Sequence, residues 1–292
     1  MTNDVTERLR KDWDSQADKW YEHREALYAA SRPVHVWMLN QLAPSEGQRV
    51  LEIAAGPGDT GFLVAPFLGG GRLVSTDLSP SMVDAARKRG TELGITNADY
   101  ATLDAQAMDL PDASFDGIIC RWGFMLMPDP AAALRECRRI LAPGGRLVFA
   151  VFTGPEKNPF ASVPARILVE MGHLPPPSSV WQPGILALAD RRRLESLLES
   201  AGFVSVRLDS VDMTWNFVDI DDYWRFLIEL TALGPLVRSL PSASLERFRT
   251  TLNERLASFM HGHALVLPSE CWGGMAIAAD NGGRKASTSS PA

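Results

Sequence analysis

Cysteine is scarce in these 292 residues: Cys120, Cys137 and Cys271 stand far apart and form no C-x-x-C pair. That set offers neither a disulfide framework nor a zinc site, so no metal is expected and each cysteine reads as a small core residue. Long apolar runs are missing too. None approaches the roughly 20 residues that cross a bilayer, and residues 1–19 are crowded with charge where a signal peptide would be apolar. Basic runs go no further than Arg191-Arg192-Arg193, and the formal charge is −6, which argues against electrostatic attraction to nucleic acid or anionic membrane. No internal repeat is evident. These absences leave the expectation of a soluble, cytoplasmic protein with a small-molecule partner, no nucleic acid and no membrane insertion; its oligomeric state is unreadable.

With 46% hydrophobic residues the chain can bury a full core. Its centre is the stretch 50–61, VLEIAAGPGDTG, which reads as a buried strand, a glycine turn and a helix. Glycine carries no Cβ to block a ligand or forbid positive φ, so backbone N–H groups at such a helix start can approach a nucleotide-like cofactor closely. Two cofactor classes compete. Gly56, Gly58 and Gly61 fit G-x-G-x-x-G, and Asp77 lies about the right distance on for a ribose in a dinucleotide site. Glu52 tilts the choice: an acid four residues before the first of these glycines does nothing for a pyrophosphate but suits a ligand bearing an ammonium.

The rest of the pattern predicts an α/β, Rossmann-like sheet of seven mostly parallel strands with helices on both faces. The strands fall at 49–53, 72–76, 99–102, 117–121, 146–152, 204–217 and 272–278, the last of them antiparallel. One or two amphipathic helices are expected over 5–30 and another over 33–42, since proline is best tolerated at a helix start. Composition shifts to proline-rich sequence after Thr153 and to aromatic helical patterns after Asp219. The chain therefore reads as one domain over 1–280, with a core at about 33–152, 190–217 and 263–280. Helical cap insertions lie at about 153–189 and 218–262. Residues 281–292, rich in Gly, Ser and Thr, are expected to be a disordered tail.

The stretch 50–61 resembles motif I of the class I S-adenosylmethionine (SAM) dependent methyltransferases, with Ala54 where that motif usually has its first glycine. The segments 77–82 (DLSPSM) and 141–147 (LAPGGRL), and 267–272 (LPSECW) ahead of the last strand, extend the resemblance toward the quinone-biosynthesis-like, small-molecule members. It implies a residue-by-residue site. Glu52 supports the cofactor's ammonium end, directly or through a water, and Ala54, Gly56 and Gly58 line its methionine part. Asp77 accepts hydrogen bonds from both ribose hydroxyls, while Leu78 and Met82 cover the adenine. Asp104 accepts from the adenine amino group and Ala105 offers a backbone N–H. Trp20 or Tyr21, in the segment 13–21, either folds over the cofactor or packs the core. Arg121 binds the cofactor carboxylate, binds an acceptor anion, or pairs with a nearby acid.

The implied reaction moves a methyl group from SAM to a carbon, oxygen or nitrogen of a small molecule, such as a quinone precursor or aromatic metabolite. A hydroxyl acceptor would need a base, for which His173, His261, His263 and Glu229 are candidates beside the insertions. Two alternatives stay open. One is a SAM-binding sensor or partner protein without catalysis. The other is an NAD(P)-dependent oxidoreductase, which would have to do without Tyr-x-x-x-Lys: the four tyrosines are followed at that spacing by Glu25, Arg32, Asp104 and Leu227.

Overall fold

The computed structural model describes residues 2–178 and 181–279, so the expected tail at 281–292 lies outside the described residues. Parallel strands β1 (Arg49–Glu52), β2 (Arg72–Asp77), β3 (Ala98–Thr102), β4 (Phe115–Arg121) and β5 (Leu141–Phe152) form the sheet with β6 (Phe203–Phe217) and β8 (Ala264–Ala278). Their order is β3-β2-β1-β4-β5-β8-β6, and a two-residue strand β7 (Met260–His261) pairs with β8. Strand β8 runs antiparallel to both its neighbours. The order reverses at β1, with β4 on its other side, and in open α/β sheets ligands bind outside the carboxyl ends of the strands at such a switch point. The ends of β1, β2 and β4 are Glu52, Asp77 and Arg121.

Helices α1 (Thr2–Glu22) and α2 (Arg24–Leu42) precede the sheet. The expected break at Pro33 does not occur: α2 runs through it. Proline in a helix interior costs about 3 kcal/mol. The reason it is tolerated is a stripe of buried residues at three- and four-residue spacing, among them Leu27, Val34, Met38 and Leu42. At about 1.5–3 kcal/mol for each fully buried aliphatic side chain, that stripe outweighs the proline.

The sheet's helices are α3 (Asp59–Val64), α4 (Pro80–Glu92), α5 (Pro130–Ile140) and α7 (Arg191–Ser200). Ser79 caps α4 by accepting from the Met82 amide, and Asp190 caps α7 through the amides of Arg192 and Arg193. Helix α6 (Pro159–Glu170) is inserted after β5. Helices α8 (Ile220–Leu230), α9 (Gly234–Arg238) and α10 (Ser242–Leu256) are inserted after β6. Strand β8 is twice the expected length. Its inner half, Cys271–Ile277, pairs with β5 on one side and β6 on the other, while Leu265–Glu270 pairs with β6 beyond the last residue of β5. The outer half of the β6–β8 hairpin thus overhangs the carboxyl edge of the sheet.

Candidate functional site

The turn after β1 holds three residues at positive φ: Ala54 (51°), Gly56 (54°) and Gly58 (89°). Left-handed backbone costs a residue with a Cβ about 1–2 kcal/mol, which explains why glycine suits position 54. The Ala54 Cβ is accommodated because Gly123 lies opposite, where an added Cβ would sit 2.7 Å from it. Gly61 has a different duty. A Cβ there would collide with the Glu52 carboxylate, and the Gly61 amide instead donates to Glu52 Oε1 at 2.8 Å.

Glu52 lies beneath the turn, 2% exposed, with Ser75 Oγ donating to its Oε2 at 2.9 Å. Burial pushes its carboxyl up to about 7, against the Gly61 and Ser75 hydrogen bonds and the Arg121 charge. The carboxylate expected to face an ammonium is therefore bonded to the protein's own turn. A second acid, Asp59, is the first residue of α3 and directly follows Gly58. Burial raises its pKa, and Arg121, Arg89 and Arg24 oppose the rise.

Asp77 joins the first two βα turns. Gly56 N donates to its Oδ2 and Ser79 N to its Oδ1, each at 2.9 Å. The Leu78 amide also bonds the carboxylate, and since an ionised carboxylate has about four lone-pair sites, acceptor capacity is left for a ligand. Burial raises its pKa, with the Ser79 and Gly56 amides opposing. Leu78 is half-buried beside it and Met82 is buried. After β3, Asp104 Oδ1 accepts from both the amide and side-chain nitrogen of Gln106, at 2.9 and 3.0 Å, and Ala105 is buried.

Helix α1 closes over this edge. Asp14 Oδ1 accepts from Ser79 Oγ at 2.6 Å and from Ser81 N at 3.2 Å, which fastens the helix to the cap of α4. Trp20 stands edge-on to Trp13 with its Nε1 buried and unpartnered. Tyr21 instead donates its hydroxyl to Glu92 on α4.

At the end of β4, Arg121 Nε donates to Thr60 Oγ1 at 3.2 Å, and its guanidinium lies 4.3 Å over the Trp122 ring. Its Nη1 is buried without a partner. Burial lowers the Arg121 pKa while Asp59 and Glu52 raise it. Trp122 has φ 61°, a strained conformation for a bulky residue of the kind that clusters at functional sites. Its Nε1 donates to Cys271 Sγ at 3.3 Å, and its ring is stacked on Phe152 and 6.1 Å from Trp215. Phe160 of α6 and Phe226 of α8 pack on Trp215 at 5.0 and 5.2 Å, so both insertions contribute to one aromatic wall.

The base candidates are dispersed. His261 and His263 are exposed at the β7–β8 turn, and His173 follows α6 with its amide donating to Leu168 O. Glu229 pairs with His23 at 3.1 Å. The buried histidine is His35 of α2, 1% exposed, which the sequence reading left aside in favour of the insertions. Its Nε2 is 2.9 Å from Ser31 Oγ and its ring 5.0 Å from that of Tyr28. Among the described residues no cluster of His, Cys, Asp or Glu could hold a metal ion, and no helix is long and apolar enough to cross a membrane.

Residues 51–149 match the family model described as a methyltransferase domain. The ubiquinone/menaquinone biosynthesis C-methyltransferase of Cellvibrio japonicus is 31% identical over 175 residues, covering 56% of this chain and 70% of that protein. A demethylmenaquinone methyltransferase of Thermus thermophilus is 35% identical over 116 residues, covering 40% of this chain and 52% of the relative. The YcgJ protein of Bacillus subtilis shares the fold, with TM-score 0.61 at 18% identity over 84% of this chain and 98% of that one. A Haemonchus contortus phosphoethanolamine N-methyltransferase, solved with S-adenosylhomocysteine, shares it at TM-score 0.51 and 16% identity, over 84% of this chain and 52% of that one. With the glycine turn, the acid ending β2 and the antiparallel β8 all in place, the nicotinamide reading falls away: the chain belongs to the class I SAM-dependent methyltransferases, in their quinone-biosynthesis-like family.

Proposed function

We propose that this enzyme methylates an aromatic small molecule, a quinone precursor or a related hydroxylated ring, at a site between the glycine turn and the wall built from Trp122, Trp215, Phe160 and Phe226. The observation that carries the reading is that wall, contributed by both insertions and bordered by the Arg121 guanidinium. Flat apolar surfaces with a few placed polar atoms are what a small planar ligand needs.

The residues present fit the methyl donor. Asp77 retains lone pairs for the ribose hydroxyls, and Leu78 and Met82 flank the adenine, with Asp104 and Ala105 at its edge. Asp59 faces the ammonium, and Arg121 Nη1, an unpartnered buried donor, faces the carboxylate. Ala54, Gly56 and Gly58 present backbone to the methionine part, while Glu52 holds the turn from below. Trp20 of α1 covers the methionine end, and Tyr21 fixes α1 to α4. SAM supplies an activated methyl group on a sulfonium whose positive charge is consumed as the methyl leaves. The chain's own contribution is to bind, orient and exclude water, so proximity and a dry site do most of the catalytic work. Helices α6 and α8–α10, within 153–189 and 218–262, act as the acceptor cap of a single domain spanning 1–280.

Calorimetric titration with SAM, S-adenosylhomocysteine and NAD(H) tests the cofactor half: the first two bind and the third does not. Turnover of labelled SAM against a panel of hydroxylated aromatics and aliphatic amines tests the acceptor half. Methylation of amines alone would refute the aromatic reading.

A further inference from the structure

A contact shared by α2 and β4 fixes where His35 lies. A Cβ on Gly117 would meet the Leu42 side chain, so Gly117, and with it Arg121 at the strand's two-residue period, faces α2. Arg121 is about 13 Å along β4 from that contact. His35 is two helical turns, about 10 Å, back along α2 from Leu42 and on the same helical face. It is therefore level with the end of β4 on Arg121's side of the sheet. Trp215 shares that side. A Cβ on Gly273 would strike Trp37 of α2, Leu267 lies six residues from Gly273 in the same strand, and Trp215 is the cross-strand partner of Leu267.

The tautomer of His35 follows from Ser31. The Ser31 hydroxyl donates to Leu27 O at 2.7 Å. Its one proton being committed there, Ser31 Oγ can only accept from His35, so Nε2 carries the hydrogen and Nδ1 is a bare lone pair. That Nδ1 is buried with no partner, as are Arg121 Nη1 and Trp215 Nε1. Buried polar atoms are ordinarily paired, and here one acceptor and two donors go unpaired on a single face beside the aromatic wall. Burial, reinforced by the Arg121 charge, holds the imidazole neutral, with its pKa lowered to about 2. A lone pair so placed is a poor base and a good hydrogen-bond acceptor.

Resting on the aromatic-acceptor reading above, we infer that His35 is a positioning residue for the methyl acceptor: its Nδ1 accepts a hydrogen bond from a hydroxyl or N–H on the ring. The imidazole takes up no proton during methyl transfer.

The test uses the full chain saturated with S-adenosylhomocysteine and a matched pair of probes, 2-naphthol and 2-methoxynaphthalene, which differ in the O–H. Wild type is expected to bind the naphthol about tenfold tighter. His35→Gln, whose amide reaches the Nε2 position and keeps the Ser31 contact, is expected to lose that preference. His35→Asn, which places an oxygen near the Nδ1 position, is expected to retain it. All three proteins should bind S-adenosylhomocysteine alike. A preference that survives in His35→Gln, or is missing from the loaded wild type, overturns the inference. Wild type that binds no S-adenosylhomocysteine refutes the cofactor assignment instead. The imidazole 15N spectrum of wild type gives a second readout that needs no variant: Nδ1 should be unprotonated and should shift with 2-naphthol. A protonated or unmoved Nδ1 is a refutation.

Discussion

Glu52→Gln removes a carboxyl whose protonation is coupled to folding. Its folded-state pKa of about 7 stands above the ordinary 4.5, a difference of about 2.5, and at about 1.4 kcal/mol per pKa unit the coupling is about 3 kcal/mol. Between those two values the folded state binds more protons than the unfolded state. The contribution is therefore fully present below about pH 4.5 and is lost as pH rises to about 7. Glutamine has nearly the same shape: its Oε1 still accepts from the Gly61 amide, and the Ser75 hydroxyl can turn to accept from Nε2. Asp59 and Asp77, raised by burial, and His35, lowered by it, also make stability depend on pH. Asp77 and His35 are common to both proteins and cancel in the difference, whereas Asp59, whose charge adds to the rise at Glu52, is part of the coupling being measured. Urea midpoints measured from pH 4.5 to 8, with m unchanged, should coincide at the acid end. They should then diverge until the variant is more stable by up to about 3 kcal/mol at pH 8. Parallel curves, or a variant less stable than wild type at pH 8, would show that Glu52 is ionised in the fold at little cost.

Asp77→Ala should weaken S-adenosylhomocysteine binding by about 1.5–3 kcal/mol for each charge-assisted hydrogen bond lost, read by calorimetry on protein whose far-UV spectrum is unchanged; undiminished affinity would reject the ribose assignment. Ala54→Gly should relieve the left-handed strain at φ 51° and raise stability by about 0.5–1 kcal/mol after the added unfolded-state entropy is deducted. Gly123→Ala, whose new Cβ would lie 2.7 Å from Ala54 Cβ and from Cys120 Sγ, should cost about 1–3 kcal/mol. The two together should show a coupling of at least about 0.5 kcal/mol in a double-mutant cycle, and strict additivity would mean that they do not touch. Asp14→Ala releases α1 from Ser79 and Ser81, and limited proteolysis should then cut within α1 while the urea midpoint of the sheet barely moves.

The sheet was legible because its strands announce themselves. Near-continuous apolar runs such as Ile118-Ile119-Cys120 suit strands buried on both faces, and glycines mark the turns. What stayed hidden depends on contacts distant in sequence. Pro33 reads as a helix start until the buried stripe on both sides of it is seen. The outer half of β8 carries Pro268, which reads as a strand breaker, yet Pro268 pairs with Thr214 where no β5 strand remains beside it to need its missing donor. The acids of the glycine turn could be named from sequence, but not the contacts each makes within the fold. Glu52 and Asp59 are both acidic residues of one turn, and only the three-dimensional placement of Gly61 and Ser75 shows which of them is occupied by its own fold. His35 looked like one more helical histidine because neither Ser31's bond to Leu27 nor the nearness of Arg121 is written in the spacing.

The overhanging hairpin makes part of the aromatic wall separable from the sheet under selection. Residues 212–217 of β6 and 265–270 of β8 hold each other by a ladder that β5 does not share, so changes there leave the pairing of β1, β2 and β4 untouched. Trp215 and the helices packed on it can change while the glycine turn stays under its own constraints. A chain built this way can change part of its aromatic wall by rewriting an appendage, and chimaeras that exchange residues 212–270 leave the sheet-bound halves of β6 and β8 in place.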